Sequence, residues 1–79
     1  MTLENIKIII NDWDPIGLLD HAPQDEYDIE SEEIFLYLGK DEKRNGAIIH
    51  SIFKKAFGST FTKSIDDCIL IAKKIEELK

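Results

Sequence analysis

Seventy-nine residues, with sixteen acids against ten bases and a net charge of −6, make one acidic domain. No run approaches the ~18 consecutive apolar residues of a membrane-crossing helix, and a single cysteine excludes an internal disulfide. At 43% apolar and 33% charged the chain reads as globular, with a core too small to be hollowed by an enclosed substrate cavity of ~300 Å³.

Leu3, Ile6, Ile10 and Trp13, spaced 3, 4 and 3, share one face and predict a helix over residues 3–12. Thr2 serves as its N-cap, and Glu4 sits where the helix dipole favours an anion. The β-branched run Ile8-Ile9-Ile10 could read as a strand, but no second strand pattern exists to pair with it.

Residues 13–28 follow neither helical nor strand periodicity and hold both prolines and the single tryptophan. A connection of this length in so small a domain is functional or tightly packed. Trp13 continues the apolar face of the first helix, so it is expected to be largely buried and to pin the loop. Asp14 before Pro15 reads as the N-cap of a short turn over Pro15–Leu19, its carboxylate reaching the amide of Ile16 or Gly17. Leu18 and Leu19 are expected to fold back on the core. Asp25 repeats the device at the start of the second helix, with Asp28 three residues on as a shortened capping box. The structural anchors of the loop are therefore Trp13, Asp14, Pro15, Asp25, Tyr27 and Asp28.

In the second helix Tyr27, Ser31, Ile34 and Leu38 fall at spacings of 4, 3 and 4, and Gly39 is the expected C′ stop. The turn Ile34–Leu38 is apolar nearly all round. Either both of its sides are buried or one side awaits a partner. If Tyr27, Ile34 and Leu38 face the core, Ile29 and Leu36 lie seven apart on another face, with Glu32 and Glu33 between them. These four are the candidate partner-binding residues. The competing reading packs Ile29 and Leu36 under the first or third helix.

Asp41 caps a third helix with the stripe Ile48, Ile49, Ile52, Phe53, Ala56 and Phe57, ended by Gly58. Gly46 lowers helix propensity, so Asn45 is an alternative start. Phe61 bridges the next turn, and Thr62 or Ser64 opens a fourth helix. Its buried face reads Ile65, Cys68, Ile69, Ala72, Ile75 and Leu78, with Leu70 exposed. The expectation is an all-α fold: one four-helix domain over residues 1–79, with a structured W-D-P-I-G loop between the first two helices. Its short loops favour antiparallel neighbours.

Candidate chemistry is thin. Asp12, Asp14 and Asp20 fit three positions of a calcium-loop frame around Gly17, but Ile16 and Pro23 stand where ligands are required, so no metal is expected. His21, His50 and Cys68 are isolated in sequence, and a Cys68 on an apolar stripe is inert as a nucleophile. Nine acids crowd residues 12–33, which reads as a solvated acidic face. Neither a phosphate-cradling glycine loop nor a serine-hydrolase motif is present, and no cofactor is expected. Residues 1–39 carry ten acids and one base, net −9, whereas residues 40–79 carry six acids and nine bases, net +3. Lys40, Lys43, Arg44, Lys54, Lys55 and Lys63 flank the third helix, but a pI near 4.7 opposes nucleic-acid binding. The bland reading of these bases is that they complement the acidic half within the fold.

Trp13-Asp14-Pro15-Ile16-Gly17 followed by Pro23, then Asp25-Glu26-Tyr27-Asp28, resembles the signature of the YugE-like family, short proteins of Bacillus and relatives grouped as a domain of unknown function. The resemblance covers most of the chain, including the Phe57-Gly58 turn and the Cys68 helix. It implies an all-helical domain and no established activity.

Two functions follow as expectations. The first is a non-catalytic protein–protein interaction module with an acidic N-terminal face, whose partner is a basic protein or a second copy of the chain. The second is an enzyme or ligand-binding protein using the acidic loop 12–28, alone or after oligomerising to form a cleft. A cleft lined by unpaired carboxylates of Asp14, Asp25 and Asp28 favours the second. The N-terminus lacks the basic start and cleavage site of a signal peptide and the lone thiol suits a reducing compartment, so a cytoplasmic location is expected, with no membrane association.

Overall fold

The computed structural model describes residues 2–17 and 26–77 and contains four α-helices and no strand among them: α1 (Leu3–Trp13), α2 (Asp28–Tyr37), α3 (Glu42–Phe57) and α4 (Ile65–Glu77), with a 3₁₀ turn at Gly58–Thr60. The domain is all-α, as expected. Each helix packs on two others, α1 on α2 and α4, and α3 on α2 and α4, so the four close into a ring around one core. No helix among the described residues is long and apolar enough to cross a membrane.

Local signals explain most boundaries. Thr2 caps α1 by accepting from the Asn5 amide at 3.2 Å, and Asp41 caps α3 by accepting from the Lys43 amide at 3.0 Å. Ser64 and Asp67 form a reciprocal capping box at the start of α4, with bonds of 3.1 and 3.2 Å. Gly58 stops α3 with φ of 58°.

Gly39 does not act as a left-handed stop. α2 ends because Leu38 is extended, and the buried Asn45 side chain then holds both backbone groups of Gly39, its Oδ1 accepting from the Gly39 amide and its Nδ2 donating to the Gly39 carbonyl, each at 2.9 Å. Asn45 is thus a clamp inside α3 and not its start. Gly46 beside it is a close-packing site, because a Cβ there would meet the Ile69 backbone of α4 at 2.8 Å.

The core joins Ile6 and Ile10 of α1, Tyr27 and Ile34, Ile49, Ile52 and Phe53 of α3, Phe61, and Cys68, Ile71, Ala72 and Ile75 of α4. The α4 face is therefore rotated from the expected one. Ile71 is buried and Ile65 is exposed, while Leu78 lies outside the described residues. On α3, Ala56 is exposed. Phe53 is the aromatic hub. It meets Trp13 and Tyr27 edge-on at 5.7 and 5.9 Å between ring centroids and stacks on Phe57 and Phe61. Trp13 is intermediate in burial and packs against this core. One side abuts Phe53 and Phe61, while the other lines a shallow cleft with Leu70, Ile71 and Lys74.

Candidate functional site

The loop between α1 and α2 is anchored at both ends by one side chain. Asp14 is the C-cap of α1, in the left-handed region at φ 44°, and its amide still donates to the Ile10 carbonyl. The two amides expected to meet its carboxylate go elsewhere, that of Gly17 to the Asp14 carbonyl at 3.1 Å and that of Ile16 to Tyr27. The Asp14 carboxylate accepts a 2.5 Å bond from the Tyr27 hydroxyl, and that hydroxyl accepts from the Ile16 amide at 3.2 Å. The amide assigned to Asp14 is thus served through Tyr27, whose ring is fully buried. Pro15 is buried beside it. Asp28 is the first residue of α2, whose N-cap is Tyr27 without a side-chain bond. Asp28 pairs with Lys7 of α1 at 3.4 Å. The Asp25 cap and the inward turn of Leu18 and Leu19 lie outside the described residues.

This anchoring fixes the rotation of α2. Tyr27, Ser31 and Ile34 are turned fully inward, which at 100° per residue turns Ile29 and Leu36 outward. They are 67% and 72% exposed, with Glu32 exposed and Glu33 half-exposed in the turn between them. The structure therefore brings all four candidate partner-binding residues onto one ridge, and neither apolar residue packs beneath a neighbouring helix. Of the seven large apolar side chains exposed among the described residues, four lie on α2: Ile29, Phe35, Leu36 and Tyr37. Phe35 and Tyr37 were not singled out from the sequence. The all-round apolar turn 34–38 was the signal that contained them.

Beside the ridge, α2 and α3 bound an open cleft of about 820 Å³. Tyr37, Ile48 and Ile52 make its apolar lining, and Lys40, Arg44 and Lys55 supply cations, with Glu33 on the α2 side. Asp41 also borders the cleft, but its carboxylate is turned to the amides of α3. Among the described residues no ion pair engages Glu32, Glu33, Lys40, Arg44 or Lys55; Lys7–Asp28 joins two residues of the acidic half. Among the described residues, therefore, the basic residues of the C-terminal half do not neutralise the acidic half by direct pairing.

Glu30 is the one buried acid among the described residues. It is 7% exposed, and its Oε1 has no hydrogen-bond partner, nor has the Oγ of Ser31. Burial pushes the Glu30 carboxyl above its usual value, its own backbone amide opposes this, and Glu33, Glu26 and Asp28 add to the rise. Glu30 lines neither of the two clefts. The Cys68 thiol is fully buried and pushed up to about 12, by burial and then by the Asp67 charge. No cluster of three or more potential metal ligands exists among the described residues. Comparison with protein-family models, curated proteins and solved structures gives no match.

Proposed function

We propose that this chain is a small cytoplasmic interaction module without catalytic chemistry of its own, related to the YugE-like family, that binds a protein through the outward ridge of α2. One observation carries the reading: Ile29 and Leu36 are 67% and 72% exposed, opposite the buried stripe of a helix rich in acids. A leucine in water gains about 1.5–3 kcal/mol on burial, so two such side chains on one ridge are ready-made anchors. Glu32 and Glu33 between them orient a partner that presents cations, and speed the encounter at low salt. The reading that uses loop 12–28 as a catalytic or ligand site has less support, because Asp14 is bonded to Tyr27 and Asp28 to Lys7.

The test is affinity capture from the native cell with the parent chain and with Leu36→Lys, each first shown by circular dichroism to be folded. The expected result is one or more proteins, this chain included, held by the parent and lost by the variant. Identical capture by both contradicts the proposal, and unfolding of Leu36→Lys would make Leu36 a core residue.

A further inference from the structure

We infer that the occupant of the α2–α3 cleft is the α2 ridge of a second copy of this chain, in a two-fold dimer; this deepens the proposed function by naming the partner, and rests on it. Charge complementarity carries the step. The ridge carries Glu32 and Glu33 around Ile29 and Leu36, and the cleft carries Lys40, Arg44 and Lys55 around Tyr37, Ile48 and Ile52. None of these five charges is paired with another described residue. The polarity of the chain, −9 in residues 1–39 and +3 in residues 40–79, is thus carried onto adjoining surfaces.

Placement decides the symmetry. The ridge and the cleft share α2, and Glu33 belongs to both. A two-fold axis running beside α2 therefore seats each ridge in the other copy's cleft at the same time, which closes the assembly as a dimer. The same two surfaces on opposite sides of the domain would instead build an open chain of copies. Length agrees as well. The cleft side of α3 runs from Asp41 to Lys55, about 21 Å at 1.5 Å per residue, and the ridge from Ile29 to Leu36 needs about 10 Å. A standard interface takes about 800 Å² from each partner, roughly a sixth of the 5008 Å² surface.

Sedimentation velocity with two charge-reversed variants tests this. One is Glu32→Lys with Glu33→Lys; the other is Arg44→Glu with Lys55→Glu. All four positions are at least partly exposed, and circular dichroism confirms folding. The parent is expected to sediment as a dimer that weakens with salt. Each variant alone is expected to sediment as a monomer, with the dissociation constant raised at least about tenfold. An equimolar mixture is expected to sediment as a dimer again, because one interface half is native and the other has its charges exchanged at positions 32, 33, 44 and 55. A parent that stays monomeric, variants that still dimerise alone, or a mixture that fails to reassociate would each overturn the inference. A monomeric parent whose Leu36→Lys variant still loses a captured protein leaves the ridge as a binding surface for a different chain, so the two readings fail separately.

Discussion

Replacing Tyr27 by phenylalanine removes a single oxygen and probes how the long loop is held. The ring is fully buried against Phe53 and Phe57, so Tyr27→Phe keeps the packing and deletes only the hydroxyl. That oxygen donates to the Asp14 carboxylate at 2.5 Å and accepts from the Ile16 amide at 3.2 Å. A hydrogen bond to a charged group contributes about 1.5–3 kcal/mol. Asp14 and Ile16 are half-buried, so water replaces part of the loss, and the expected cost is about 1.5–2 kcal/mol. For a domain of this size each kcal/mol lowers the melting temperature by about 4–8 °C, so a drop of roughly 6–16 °C is expected. Urea unfolding followed by far-UV circular dichroism gives the free energy, and Trp13 fluorescence reports the loop end of α1 in the same samples. Asp14→Asn retains an acceptor and tolerates the left-handed backbone, so it should cost less than Asp14→Ala. A double-mutant cycle between Tyr27→Phe and Asp14→Ala should show coupling of about 1 kcal/mol or more. A Tyr27→Phe cost below about 0.5 kcal/mol, or additive single mutants, would refute the relay.

Further outcomes follow from the same geometry. Gly46→Ala should destabilise by about 1–3 kcal/mol in urea, despite a helix-propensity gain of about 1 kcal/mol, because the new Cβ meets the Ile69 backbone at 2.8 Å. Asn45→Ala should cost about 1–2 kcal/mol by freeing both backbone groups of Gly39, with faster amide exchange at Gly39 as its local sign. Glu30→Met should stabilise the domain at pH 7 by about 1 kcal/mol, since it removes a buried oxygen without a partner. The raised Glu30 carboxyl means that the folded chain holds that proton more tightly than the unfolded chain; the stability it contributes is fully present below the ordinary value of 4.5 and is lost as pH rises through the higher folded value. Glu30→Met should flatten that part of the pH profile, measured as urea midpoints on both sides of the folded value. Cys68, buried with its thiol pushed up to about 12, should react with a thiol reagent only at the rate of unfolding.

What could be read from sequence was local. Thr2, Asp41 and Gly58 act on neighbours within a few residues, so their chemistry alone places three helix ends. The signals that misled also had a local reading but were decided by distant contacts. Asp14 before Pro15 suits an N-cap, yet its partner is a hydroxyl thirteen residues away. Gly39 reads as a C′ glycine and Gly46 as a weak helix position. The first is clamped by Asn45, and the second lets α3 approach α4. On α4 the run of isoleucines satisfies two overlapping helical faces, and packing against α3 chose the one holding Ile71 over the one holding Ile65. The α2 ridge was legible as one of two alternatives, because apolar residues surround its last turn. Only the rotation set by the buried Tyr27, Ser31 and Ile34 places Leu36 outside.

Site-specific photo-crosslinking in the native cell tests that placement and its purpose together. A photoreactive residue at Leu36, on the α2 ridge, is compared with one at Asp66, exposed on the first turn of α4. The account predicts a discrete covalent adduct from position 36, with another protein or with this chain, and none above background from position 66. Equal labelling from both positions, or no adduct from position 36, would contradict the claim that the outer face of α2 is a binding surface.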